Sequence, residues 1–216
     1  MTTKTSSFLL ALLIVGGVWA AFFAYNILPD QVVAHWDASG RPDGYMGKFW
    51  ALFLWPMIIV LFTIFFVLLP KIDPIKNGIA SFRRVYNMFW LILSIFILYI
   101  LLIILSWNFG FKFNFIVLIL PALAFVWFCL GELLANSKRN WFVGIRTPWT
   151  MSSDKVWQST HFLAGKLYKI SAVFALLGLA FKGEQGVALA FGLIPVIVSA
   201  LGLVVFSYFE YKRLQS

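Results

Sequence analysis

The chain has 216 residues, of which 62% are hydrophobic and only 12% charged, and its mean hydropathy is +0.92. A soluble domain is nearer to half apolar and a quarter charged, so the bilayer is the solvent for most of this chain. The net charge of +9 does not call for nucleic acid, because the basic residues sit at the ends of apolar runs, where the positive-inside rule puts them. The lone cysteine, Cys129, excludes a disulfide framework and a cysteine zinc site within the chain.

In chain order, the first span is predicted over residues 8–27, a retained signal anchor with Lys4 ahead of it. Gly16, Ala20 and Ala24 recur every four residues along it and would admit a close neighbour helix. The loop 28–48, LPDQVVAHWDASGRPDGYMGK, is turn-rich and carries Asp30, His35, Asp37, Arg41, Asp43 and Lys48. It is expected to be a solvated loop held at the headgroups by Trp36 and Tyr45. The second span covers 49–69, and a basic connection leads to a third over 85–107. A tight return near Asn108 opens a fourth over 114–134, with Glu132 in its last turn, placed to snorkel or to pair with Lys138 or Arg139. After a polar element at 141–161 come the fifth span, 162–181, a turn at 182–186, and the sixth span, 187–208. Each is close to the roughly 20 residues a bilayer requires. The fold expected is therefore all-α: one polytopic membrane helical bundle with six transmembrane helices.

Six spans put both termini on one side. Lys4, Lys71, Lys76, Arg83, Arg84, Lys138, Arg139, Arg146, Lys155, Lys166, Lys169, Lys212 and Arg213 lie there, and Arg41, Lys48, Lys112 and Lys182 lie opposite. That bias predicts cytoplasmic N- and C-termini. It also puts His35 outside and His161 inside, separated by a hydrocarbon core roughly 30 Å thick, so the two cannot share a metal or a catalytic site. No HExxH, GxSxG or phosphate-cradling glycine loop occurs, and no cofactor or metal is expected.

The element 141–161, WFVGIRTPWTMSSDKVWQSTH, concentrates the polar chemistry. Thr147 precedes Pro148 and should be extended. Ser152 or Ser153 should then cap a new helix with Asp154 in its first turn, on which Trp157, His161 and Gly165 share a face. Arg146, Thr147, Pro148, Trp149, Thr150, Asp154, Trp157 and His161 are the candidate residues for binding a partner or ligand. Arg146 offers a planar fork for carboxylate or phosphate, and the tryptophans offer flat contact surfaces. A structural cap at the headgroup level, with Arg146 snorkelling to lipid phosphate, uses the same residue types. The residues alone leave both readings open. A small membrane enzyme or lipid-handling protein is the alternative function, with Arg146 and His161 lining a pocket and Glu132 or Asp154 as base. In the outer loop His35, Trp36, Asp37, Arg41, Asp43 and Lys48 are candidate ligand contacts. As a divalent-cation site, His35 with Asp37 and Asp43 is a thin ligand set.

The segment GIRTPWTMSSDKVWQSTHFLAGK, Gly144 to Lys166, strongly resembles the signature of the SdpI-like membrane proteins of bacteria, and LPDQVVAHWDASGRPDGYMGK resembles a shorter motif that many of them carry before the second span. Arg146 to Thr150 form the specific core of the resemblance, and Trp157 sits where the family has a tryptophan. Length, span number and motif order agree as well. The resemblance implies a non-enzymatic protein of the bacterial cell membrane that confers immunity to a secreted, membrane-active peptide toxin. It further implies a signal transducer that holds a transcriptional repressor at the membrane. Membrane lipids, the toxin outside and the repressor inside are then the expected partners, with no direct binding of nucleic acid. The family lends the signature residues no individual roles.

Overall fold

A computed structural model describes residues 2–37, 39–75 and 77–215. Among the described residues six helices are long and apolar enough to cross a membrane: α1 (Thr3–Tyr25), α2 (Lys48–Ile72), α3 (Arg83–Asn108), α4 (Phe115–Asn136), α6 (Asp154–Leu177) and α7 (Gln185–Arg213), with α5 (Pro148–Ser152) a single turn between α4 and α6. The membrane bundle expected from hydropathy is what the chain forms. Its helix ends do not coincide with the expected spans, and at α1, α4 and α6 a polar cap rather than the hydrocarbon boundary starts the helix. Thr2 accepts from the Thr5 amide at α1, Asn114 accepts from the Ile116 and Val117 amides at α4, and Ser153 starts α6 well before Phe162.

Two groups of helices make up the bundle. α1, α2 and α3 pack on one another, α4, α6 and α7 on one another, and α3 against α4 joins the groups. Phe8, Trp19, Phe125, Ile197, Leu201 and Phe209 are all more than half exposed, which in water would be an aggregating surface and in a bilayer is the lipid face.

One end of the bundle holds an element the sequence reading missed. The expected loop 28–48 is an antiparallel hairpin, β1 (Gln31–Trp36) paired with β2 (Pro42–Gly47), with Val33 opposite Tyr45, His35 opposite Gly44, and an irregularity at Ala34. Proline is tolerated at Pro42 because it opens its strand. β1 lies across the ends of α3 and α4. Val32 joins Ala24, Ala51, Leu52 and Leu101 in one core cluster, and Val33 and Trp36 join Ile104, Ile116 and Leu120 in another. Asn108, at the end of α3, acts as a third strand's peptide group: its Oδ1 accepts from the Val33 amide at 2.9 Å and its Nδ2 donates to the Val33 carbonyl at 2.8 Å. The opposite end carries both termini and is sealed by Leu10, Phe66, Ile79, Phe82, Tyr86 and Leu133, with Phe142 and Val143 of the polar element laid over them.

Candidate functional site

The Thr147-Pro148-Trp149-Thr150 sequence builds its own helical turn. Thr147 is extended (φ −101°, ψ 162°), as a residue before proline must be, and Pro148 takes the first helical position, where its missing N–H costs nothing. The two threonines then satisfy each other's backbone: Thr147 Oγ1 accepts from the Thr150 amide at 3.2 Å, and Thr150 Oγ1 accepts from the Thr147 amide at 2.9 Å. This is a capping box with threonine where glutamate usually stands. Thr150 spends its hydroxyl proton on the Ile145 carbonyl at 2.8 Å. Thr147 Oγ1 lies 3.0 Å from Ser207 Oγ of α7, and Ser207 gives its own proton to the Val204 carbonyl, which leaves Thr147 as the donor. The turn is thereby sewn to α7.

The second cap is Ser153, whose Oγ accepts from the Val156 amide, with Asp154 in the first turn of α6. Arg139 ties this start to the preceding segment. Its Nη1 donates to the Met151 carbonyl at 2.9 Å, and its Nε lies 2.8 Å from Asp154 Oδ1. Beneath it the fully buried Asn140 holds the 138–143 backbone: Nδ2 donates to the Lys138 and Val143 carbonyls, and Oδ1 accepts from the Phe142 and Val143 amides.

Trp157 and His161, one turn apart on α6, stack with ring centroids 3.9 Å apart. Trp157 Nε1 donates to the Ser137 carbonyl at 3.1 Å. His161 Nε2 accepts from the Ile145 amide at 2.9 Å, and Nδ1 lies 2.8 Å from the Trp157 carbonyl. An amide can only donate and a carbonyl only accept, so the imidazole is neutral with its proton on Nδ1. Gly144 makes room for this pair at φ +126°, and a Cβ there would fall 2.4 Å from His161 Nε2. One turn further along α6, Gly165 lets α4 approach: its Cβ would lie 2.6 Å from that of Ala135.

The eight residues expected to bind together therefore divide. Thr147, Thr150, Trp157 and His161 are buried and form the interior of a hydrogen-bonded plate, so Trp157 is no free contact surface. Arg146, Pro148 and Asp154 are exposed on it. Arg146 donates to the Trp141 carbonyl, and Trp149 is half-buried against Tyr208, centroids 5.1 Å apart. The arrangement expected for an enzyme is not assembled. His161 has both ring nitrogens engaged, Asp154 faces Arg139, and Glu132 pairs with Lys169 of α6 at 2.6 Å. That last contact corrects the expected pairing of Glu132 with Lys138 or Arg139: Lys169 of the neighbouring helix takes Oε2, and Asn136 at the end of α4 donates to Oε1 at 2.9 Å. Arg139, Asn140 and Ser207 were missed, and no signal marks them in a sequence read locally.

In the hairpin, Trp36 is buried, stacked on Phe115 (5.0 Å, 7°) and edge-on to Trp107 (5.6 Å), so it is not the headgroup anchor expected. Tyr45 is exposed. His35 Nδ1 pairs with Asp43 across the strands, Lys48 reaches Asp30 at 3.2 Å, and Arg41 is exposed. Among the described residues no three histidine, cysteine or acidic side chains gather as metal ligands. Asp37 is occupied by the turn: Oδ1 accepts from the Ser39 amide (2.8 Å), the Ser39 hydroxyl (2.6 Å) and the Arg41 amide (2.9 Å). The Ser39 hydroxyl first, then the Arg41 amide, hold its carboxyl below the ordinary carboxylate range. A lowered value means the turn keeps this stabilisation above about pH 4 and loses it as the pH falls through the lowered value. Amide-exchange protection of Ser39 and Arg41 should be flat above about pH 4 and fall below it, and Asp37→Asn should remove the dependence. Protection constant to about pH 2 would contradict the assignment.

Residues 136–208, the plate with α6 and most of α7, match the family model described as the SdpI/YfhL protein family. Residues 12–60, from α1 through the hairpin into α2, match a second, described as a domain of unknown function (DUF1648). Over 193 residues, 88% of each chain, the protein is 24% identical to Immunity protein SdpI of Bacillus subtilis (strain 168). No solved structure matches the chain. With the signature region matched and the similarity running nearly end to end, the chain is similar to the SdpI immunity proteins, and its six apolar helices make it a multi-pass membrane protein.

Proposed function

We propose that this protein is an immunity protein of the bacterial cell membrane that protects against a secreted, membrane-active peptide toxin. The supporting observation is the similarity to a protein named Immunity protein SdpI over 88% of both chains, with the matched 136–208 region containing a hydrogen-bonded plate rather than a slack connector. The positive-charge bias supports a cytoplasmic plate and an external hairpin. In this reading the toxin meets the exposed hairpin groups His35, Asp43 and Tyr45. The plate presents Arg146, Pro148, Trp149 and Asp154 to a cytoplasmic transcriptional repressor, with the buried residues as scaffold. Signalling across the bundle requires that the toxin contact two bundle states differently.

Survival of a toxin-sensitive bacterial host tests this. Wild type should protect. His35→Ala/Tyr45→Ala should lose protection at matched membrane levels, because both side chains lie outside the packed core. Arg146→Ala should release the repressor without loss of folded protein. Wild type that inserts correctly and protects against no toxin would sink the immunity reading. Protection that survives the hairpin variant would remove the hairpin from it.

A further inference from the structure

At the end of the bundle that carries both termini, two concavities share a wall. The first, about 690 Å3, lies between Ile75, Asn77 and Gly78, residues 137–139 and the start of α6, and Lys138, Arg139 and Lys155 line it. The second, about 540 Å3, runs between α6 and α7 past Phe162, Leu163, Phe206 and Phe209, with Lys166 at its side. Ser159, Phe162 and Glu210 belong to both. Together they form one groove whose character changes with depth. Helix rise puts Phe162 about 10 Å below Lys155 along α6, so the basic part lies at headgroup level and the aromatic part in the acyl region. Phe162 and Phe209 are 58% and 63% exposed.

The charges are not balanced within the protein. Asp154 is taken by Arg139 and Glu210 by Arg213, both at 2.8 Å. Among the described residues no carboxylate lies within ion-pair distance of Lys138, Lys155 or Lys166. Lys166 lies instead over the Phe162 ring, 4.4 Å from its centroid. A water-soluble anion would use the cations and leave the aromatic half empty. An apolar peptide would leave the lysines unmatched. A molecule with a negative headgroup joined to a hydrocarbon chain satisfies both halves at the depths where they occur.

We infer that this groove binds an anionic phospholipid, its phosphate against Lys138 and Lys155 and an acyl chain along Phe162 and Phe209. Such a site requires neither toxin nor repressor, so it stands apart from the immunity reading. A basic residue near an anionic headgroup is worth about fivefold in affinity, so the two lysines together should be worth roughly 25-fold.

The experiment is native mass spectrometry of the full-length protein in detergent, titrated with phosphatidylglycerol or phosphatidylcholine of identical chains. Wild type should retain phosphatidylglycerol preferentially, and Lys138→Ala/Lys155→Ala should bring its affinity down to that of phosphatidylcholine. Phe162→Ser/Phe209→Ser should weaken both lipids alike and preserve their ratio. Lys4→Ala/Lys71→Ala removes two exposed charges at the same end outside the groove and should change nothing; an equal loss there would make the attraction generic and overturn the site. No preference in wild type, or displacement of the lipid by millimolar inorganic phosphate, would overturn it too. Unchanged helical circular dichroism for each variant separates lost binding from lost fold.

Discussion

Gly144→Ala is expected to cost about 4 kcal/mol of stability, combining about 1–3 kcal/mol of backbone strain with about 1–3 kcal/mol of overpacking. At φ +126° an L side chain is strained whatever space surrounds it. Here there is none. The new methyl would meet His161 Nε2 at 2.4 Å and the Trp157 ring at 3.0 Å. Neither neighbour can yield without loss, because each is held by hydrogen bonds: Trp157 by the Ser137 carbonyl, His161 by the Trp157 carbonyl of its own helix and by the Ile145 amide. Thermal unfolding of the detergent-purified protein should show a clear drop in midpoint. Gly47→Ala, where a Cβ meets nothing within 4 Å, serves as the reference. A Gly144→Ala protein that melts with wild type would mean the plate is looser than its hydrogen bonds describe.

The six spans were legible because a bilayer imposes length and hydropathy on any chain that crosses it, and those two quantities are local. Where each helix begins was less so: α6 starts at Asp154 because Ser153 caps it, and a cap acts on backbone amides without regard to the hydrocarbon boundary. The hairpin was not legible. Gly44, Gly47 and Pro42 read as turn residues, and β1 is stabilised from outside its own stretch, by Asn108 and by Phe115 under Trp36. The plate divides in the same way. The extended Thr147, the Ser153 cap and the shared face of Trp157, His161 and Gly165 follow from rules spanning a few residues. Periodicity says that those three share a face but not which way the face points. Burial turned it toward α4, which leaves Arg146, Pro148 and Asp154 as the exposed groups of the plate. Glu132 shows the limit most simply, since its partner Lys169 is on another helix and no spacing rule reaches it.

Trp157→Ala should destabilise the protein by about 3–5 kcal/mol, the range for emptying a buried aromatic site. The side chain is 2% exposed, carries the only ring stacked on His161 among the described residues, and bonds the Ser137 carbonyl where the chain leaves α4. Trp157→Phe keeps a ring over His161 and loses the N–H, so it should cost about 1–2 kcal/mol, chiefly the carbonyl left without its donor. The graded pair matters because a contact residue and a scaffold residue predict different things about function. Arg146 is exposed, so Arg146→Ala should melt with wild type and alter only what the plate presents. Trp157→Ala should lower protection in proportion to the folded protein lost from the membrane, and Trp157→Phe should restore most of both. Unfolding midpoints of the three variants, set beside host survival at measured membrane abundance, make the comparison. Were Trp157→Ala to keep wild-type stability and abundance yet lose protection, the ring would be touching the partner, and the division between buried scaffold and exposed face would be wrong.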